Sequence, residues 1–297
     1  MGFDRRLTPA RPDLAAAHLK GRIAAERFVE GRAAQVSRGV AGLHATPADA
    51  GLQTQLLFGE TFTIYEQKGD WVWGQASLDS YVGYARAECF AAPLSITHRV
   101  FSLATPLLLA PDVKKGARDM LPMNAKLAVA EPGEAFMRLA DGSYVFARHL
   151  APLDSFVSDW VCVAERFAGV PYLWGGKTAA GIDCSGLVQT ALEAGGIRSP
   201  RDTDMMESQL GTAIALDAAV ARGDLIFWKG HVGLMLDSQR IIHANGFAME
   251  VSIEPLAEVR ERTLVREGLP IRTIKRLQRA GGAGAGAAAP PVLAGKG

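Results

Sequence analysis

Between residues 46 and 94 apolar and polar positions alternate in short runs: QTQLLFGE, TFTIYEQ, WVWGQAS and YVGYARAEC. Runs of this length, rich in Thr, Val, Ile, Tyr and Trp, predict half-buried strands. Gly59, Lys68-Gly69-Asp70 and Leu78-Asp79-Ser80 separate them. Trp71 and Trp73 lie two apart and share one face of a strand. Residues 95–152 show a similar pattern in HRVFSL, TPLLLAP, AKLAVAEPG and AFMRLA-DG-SYVFAR. Asp141-Gly142 between alternating runs is a hairpin signal. Each stretch predicts a small all-β barrel or sandwich, and the two stand in tandem.

The period changes after residue 152. SDWVCVAERFAG spaces Trp160, Val163, Ala164 and Phe167 as a helix does, with Ser155 or Ser158 as its cap. CSGLVQTALEAGG is helical and ends at Gly195-Gly196. LIFW, HVGLML and IIHANG read as an antiparallel meander, with Asp224 before them as a turn residue. Helices and strands are segregated in 153–277, so the class is α+β. Residues 1–45, Ala- and Arg-rich with Pro9 and Pro12, predict an extended arm and one or two short helices, Asp13 capping Leu14 to Lys20. The basic run Arg260 to Arg279, interrupted by Glu261 and Glu267, reads as a solvated face. The segment 278–297 cannot bury a core and predicts a disordered tail.

Charge narrows the classes. Among 297 residues, 32 Lys and Arg balance 31 Asp and Glu, so the basic footprint of a nucleic-acid binder is missing. No run approaches the roughly 18 apolar residues of a membrane span. The first residues reach no apolar core of a secretory signal, which leads to an expectation of a cytoplasmic protein. Three cysteines, odd in number and far apart, argue against a disulfide framework and against a Cys-x-x-Cys metal site.

One cysteine stands out. Leu187, Val188, Ala191 and Leu192 follow Cys184 at helical spacing, which puts Cys184 in the first turn on the inward side. A helix N-terminus favours thiolate and offers N–H groups to an oxyanion; the plainer reading is a small buried apolar residue. A thiolate nucleophile needs an imidazole and a group to orient it. His231 and His243 follow in neighbouring strands. They share a face only if the connection has an odd number of residues or a bulge: the three-residue loop Asp237-Ser238-Gln239 pairs Gly233 with His243 and His231 with Asn245. Asn245 is the rival orienting group.

PYLWGG, GIDCSGLVQ, RGDLIFW, GHVGLML and IIHANG, together and in this order over residues 155–275, resemble the papain-like NlpC-type cell-wall cysteine peptidases. The resemblance implies Cys184 as nucleophile, His231 as base, His243 as the third polar residue and Tyr172 as an oxyanion donor. Upstream, LLFGE and DSYVGY resemble the dipeptidyl-peptidase VI subgroup, in which bacterial SH3-like barrels precede the peptidase. That implies Glu60 and Tyr81 as binders of a free N-terminal amine, with Tyr84 and Asp79 as alternatives. It also implies substrate contacts at Asp183, Ser185, Asp202 and Thr203, with Trp174 walling the cleft; Asp183 has a second reading as a helix N-cap.

These readings divide the chain into an arm (1–45), a first SH3-like domain (46–94), a second (95–152), an NlpC-type peptidase domain (153–277) and a tail (278–297). The expected activity is hydrolysis of the γ-D-glutamyl–diamino acid bond of murein peptides such as L-Ala-γ-D-Glu-diaminopimelate, in cell-wall peptide recycling, without metal or organic cofactor. Two alternatives keep the fold: a catalytically silent wall-peptide binder, and an acyl or amide transferase. The oligomeric state is not legible in the sequence.

Overall fold

Strands claim more of the N-terminal region than the spacing predicts. The computed structural model describes residues 3–277; the segment expected to be a disordered tail, 278–297, lies outside the described residues. The first β-module is a seven-stranded sheet in the order Leu52–Leu57, Val40–His44, Val82–Arg86, Trp71–Ala76, Thr61–Lys68, Arg32–Val36, Phe90–Ala91. Two of these strands lie before residue 46. Arg32–Val36 reads RAAQV, and Ala carries little strand signal; burial of Ala34 and Val36 beside Phe62 fixes it instead. Leu52–Leu57 and Phe90–Ala91 stand at the two ends of the strand order.

The arm also departs from expectation. In place of an α-helix from Leu14 there is a two-residue strand, Ala15–Ala16, paired with Phe28–Val29, and one 3-10 turn, Ala17–Leu19. Ala15, Ala16 and Leu19 are buried against Phe28 and Tyr65. Tertiary burial here overrides helix propensity, which is a weak prior over so few residues.

The second module has a three-stranded sheet (Lys126–Leu127, His98–Val100, Leu150–Pro152) and a five-stranded one (Ala117–Pro122, Ala104–Leu108, Tyr144–Phe146, Phe136–Leu139, Val129–Glu131). Val100, Leu107, Leu121, Leu127, Leu139 and Val145 form its core. The hairpin forms at Asp141-Gly142: Met137 pairs with Val145, Gly142 takes φ 84°, and Asp141 accepts the Ser143 N–H at 3.0 Å.

The third unit is a six-stranded antiparallel sheet, ordered Thr212–Ile214, Thr273–Arg276, Leu225–Trp228, His231–Met235, Arg240–Asn245, Glu250–Pro255. The helix Cys184–Ala194 covers one face, packing Leu187, Val188 and Ala191 on Phe227, Val232, Leu234 and Ile242. Each Val, Leu, Ile or Phe among them contributes roughly 1.5–3 kcal/mol by leaving water. The helix Leu256–Glu267 covers the other face through Val259, beside Trp228, Met235 and Ile241. The helix read from SDWVCVAERFAG is Val161–Glu165; neither Ser155 nor Ser158 caps it, and Asp159 accepts the Val161 N–H at 3.1 Å. No helix among the described residues is long and apolar enough to cross a membrane.

Candidate active site

Cys184 is the first residue of its helix and only 7% exposed. Asp183 is the N-cap, accepting from the Gly186 N–H at 2.7 Å; its other oxygen accepts from the Gly175 N–H at 2.8 Å and from Arg201 Nη2 at 2.7 Å. Ser185 Oγ donates to Asp183 at 3.2 Å and accepts from Arg201 Nη1 at 2.6 Å. These bonds make Asp183 and Ser185 the seating of the nucleophile. Arg201, 1% exposed, is their keystone: its Nε also reaches Thr54 Oγ1 at 2.8 Å and so joins the first module to the nucleophile loop.

The register argument holds. Leu234 pairs with Ile242 and Met235 with Ile241, and the Leu236 N–H reaches the Arg240 carbonyl, leaving Asp237-Ser238-Gln239 as a three-residue loop. Asp237 Oδ1 accepts from the N–H groups of Gln239 and Arg240 and sets that turn. The same register puts Gly233 opposite His243, where a Cβ on Gly233 would stand 3.4 Å from the His243 Cβ. His231 Nε2 lies 2.8 Å from His243 Nδ1.

Ladder pairing stops at Leu234, and the Val232 backbone is among the groups that pull the Cys184 pKa down. With His231 Nε2 on His243, its Nδ1 is the nitrogen left for Cys184. His243 Nε2 lies 2.9 Å from Glu254 Oε1, and Arg262 from the second-face helix holds that carboxylate at 2.5 and 3.1 Å. Asn245, the rival orienting group, instead donates to Ser252 Oγ at 2.7 Å.

Burial dominates the electrostatics of the pair. Burial pushes the Cys184 thiol up to about 12, with the Asp183 charge adding to it, while the Val232 and Ser185 N–H groups and Arg201 pull down. Burial, then His243 and Arg262, pushes His231 down to about 3. Both directions favour the neutral thiol and the neutral imidazole over the ion pair. Desolvation outweighs the helix terminus because the sulfur is sealed from water. Tyr172 is pushed up to about 12 by burial, then by Cys184 and Asp183, and keeps its O–H as a donor beside the sulfur.

The remaining predicted residues separate into two groups. Tyr81 donates its hydroxyl to Asp202 Oδ2 at 3.1 Å, so a phenol of the first module meets a carboxylate of the peptidase unit. Burial raises Asp202 despite Arg201, Arg6 and Tyr81 nearby. Thr203 opens the next helix, Thr203–Gln209, and Trp174 is 66% exposed on the nucleophile loop. Glu60 makes no hydrogen bond to Tyr81. It is 3% exposed, with Lys126 at 3.9 Å and Lys177 at 3.8 Å. Asp79 accepts from Gln189 at 3.0 Å, and the Tyr84 hydroxyl accepts from Arg11 at 2.8 Å. Asp224 is the turn residue expected, accepting the Ala221 N–H at 2.8 Å and pairing with Arg276.

Sequence reasoning missed Arg201, Glu254, Arg262 and Arg6. Arg262 lies in the run read as a solvated face, yet it is an ion-pair partner 14% exposed. Arg6, from the arm, reaches Asp202 at 2.8 Å and Asp204 at 2.7 Å. No local pattern marks these contacts; for Arg6 and Asp202 they span 196 positions. A cavity of about 630 Å³ beside Tyr81 is walled by Arg6, Gln53, Trp73 and Tyr84 among others; Cys184 is not part of its wall.

Residues 169–265 match the NlpC/P60 family, and residues 43–88 match the bacterial dipeptidyl-peptidase Sh3 domain. The γ-D-glutamyl-L-lysine dipeptidyl-peptidase of Bacillus cereus is 28% identical over 241 residues, 69% of this chain and 71% of the relative. Its counterpart in Bacillus subtilis is 27% identical over 234 residues, 70% and 77% of the two chains. Dipeptidyl-peptidase 6 of Lysinibacillus sphaericus is 35% identical over 123 residues, 41% and 44% of the two chains. The crystal structure of an NlpC/P60 family protein from Bacillus cereus shares the fold, with a TM-score of 0.69 at 20% identity over 82% of this chain and 99% of that one. Cys184 at its helix terminus and the hydrogen-bonded His231–His243 pair both lie in the matched segment, so the chain carries an NlpC/P60 cysteine peptidase domain with a bacterial dipeptidyl-peptidase Sh3 domain ahead of it.

Proposed function

We propose that the protein hydrolyses the bond between γ-D-Glu and the following diamino acid in murein-derived peptides with a free N-terminal L-Ala, such as L-Ala-γ-D-Glu-diaminopimelate. In this reading Cys184 Sγ attacks the γ-glutamyl carbonyl as its proton passes to His231 Nδ1. The Tyr172 hydroxyl and the helix-terminal N–H groups hold the oxyanion. The imidazolium of His231 protonates the leaving amine, the C–N bond breaks, and a thioester remains. Water, deprotonated by His231, then cleaves the C–S bond and releases the acid.

The observation that carries this reading is the meeting of Tyr81 and Asp202 across two units, with Asp202 next in sequence to the Arg201 that holds Asp183 beside the nucleophile. A phenol and a carboxylate at the end of a cleft offer acceptors to an ammonium and reject a capped nitrogen, which leaves them unpaired. The names of the Bacillus relatives support the bond chosen. A free L-Ala amine belongs to released peptides, since in intact wall that nitrogen is acylated. The proposal therefore includes recycling of soluble fragments in the cytoplasm, which cell fractionation tests.

The deciding experiment compares L-Ala-γ-D-Glu-diaminopimelate with its N-acetylated form, using wild type and Cys184→Ala. The expected result is release of diaminopimelate from the uncapped peptide by wild type alone. Equal turnover of both peptides ends the amine reading. Turnover by Cys184→Ala ends the whole proposal, and binding of the peptide without turnover by wild type returns the silent-binder alternative.

A further inference from the structure

The two histidines that follow the nucleophile can share their proton in two ways, and only one leaves a base for the thiol. In the first, His243 is neutral with its hydrogen on Nε2; its Nδ1 then accepts from His231 Nε2–H, and His231 Nδ1 keeps a lone pair toward Cys184. In the second, a proton bound by the pair sits on His243, whose Nδ1–H donates to His231 Nε2. The hydrogen of His231 must then sit on Nδ1, and no base faces the sulfur. The heavy-atom distances are the same in both.

Glu254 breaks part of this ambiguity because a carboxylate can only accept. Its Oε1, 2.9 Å from His243 Nε2, requires a hydrogen on that nitrogen. The same oxygen accepts from Ser252 Oγ at 2.7 Å, and Arg262 occupies both oxygens. An uncompensated carboxylate here would draw a second proton onto His243 and produce the inactive arrangement. A carboxylate neutralised by a guanidinium orients the ring without attracting that proton. Arg262 is fixed for this task by its place in the Leu256–Glu267 helix and by the Phe247 ring, 4.2 Å from its guanidinium carbon.

We propose that Glu254 and Arg262 are positioning residues acting as one unit: Glu254 fixes the hydrogen on His243 Nε2, and Arg262 keeps the histidine pair from binding an extra proton. The charged groups set against the pair are Glu254 on its sheet neighbour and Arg262 on the covering helix, and Cys184, at the start of the nucleophile helix, is the group the pair would serve. Neither positioning residue touches substrate.

The test uses the full chain and two variants, Glu254→Gln and Arg262→Gln, with pH profiles of kcat/KM on L-Ala-γ-D-Glu-diaminopimelate. Removing the carboxylate weakens binding of the extra proton, so Glu254→Gln moves the acid limb to lower pH. Removing the guanidinium strengthens it, so Arg262→Gln moves the acid limb to higher pH. Glu254→Gln also lowers kcat by about 10–100-fold with KM little changed, the range for outer partners that orient a working ring. Merely structural roles would lower activity without opposite shifts. Nitrogen NMR of histidine-labelled wild type gives a readout that needs neither substrate nor variant: it should show both rings protonated at Nε2 and bare at Nδ1. A His231 ring protonated at Nδ1 at neutral pH overturns the proposal, as do unchanged or parallel acid limbs. If wild type leaves the tripeptide uncut, the substrate reading fails and the NMR result still decides this one.

Discussion

Arg201→Met should unseat the nucleophile and loosen the first module together. Arg201 is 1% exposed and bonds to Asp183 at 2.7 Å, Ser185 at 2.6 Å and Thr54 at 2.8 Å. Breaking a buried ion pair from one side costs about 3–5 kcal/mol. The low end applies because Asp183 keeps the Gly175 and Gly186 N–H groups and the Ser185 hydroxyl. The hydroxyls of Thr54 and Ser185 each lose a donor, adding about 1 kcal/mol apiece. The sum is about 5 kcal/mol, a fall in Tm of about 10–20 °C for a unit of this size. Scanning calorimetry at neutral pH measures it. The pairing itself is isolated by adding Asp183→Asn, which removes the orphaned charge while keeping a good N-cap. The double variant should recover about 2 kcal/mol relative to additivity. A Tm for Arg201→Met within about 2 °C of wild type, or strictly additive variants, would refute the reasoning.

Three further expectations follow from the site. Because burial holds the resting thiol near 12, iodoacetamide labelling of the Cys184 peptide, followed by mass spectrometry, should climb steadily with pH; a plateau already reached in mildly acidic buffer would mean a preformed thiolate. Tyr81→Phe removes a donor to Asp202 and the contact proposed for the substrate amine, so KM for the uncapped tripeptide should rise about tenfold, near 1.4 kcal/mol, with kcat held; an unchanged KM would place amine recognition elsewhere. Glu254 is held below its ordinary value of 4.5, first by its bond with His243 and then by Arg262 and Ser252. A depressed carboxylate stabilises the fold above its unfolded pKa and loses that contribution as pH falls. Acid unfolding followed by tryptophan fluorescence should therefore show a flatter pH dependence for Glu254→Gln below 4.5; an identical curve would show that the bond contributes nothing.

The sequence was most informative where chemistry and period coincide. Helical spacing after Cys184 placed it at a helix start, and parity alone required the odd loop that brings His231 and His243 onto one face. Strands at Arg32–Val36 and Val40–His44 were hidden because Ala and Gly there give little period-two contrast, and only the packing of a whole module makes them strands. Arg201, Arg262 and Arg6 were hidden for another reason. A buried guanidinium reads locally as one more surface charge, and its partner lies tens or hundreds of positions away. Depth of burial, which pushes the thiol up against the pull of the helix terminus, is a factor that spacing cannot report.

The most direct test of the central claim is to mix wild-type protein with excess L-Ala-γ-D-Glu-diaminopimelate, quench in acid within a turnover, and weigh the Cys184 peptide. A thioester to the γ-carboxyl of L-Ala-D-Glu on that cysteine, absent in Cys184→Ala and absent when His231 is replaced by Ala, is the predicted result. Turnover that proceeds with Cys184 never acylated, or that survives loss of either residue, would contradict the account.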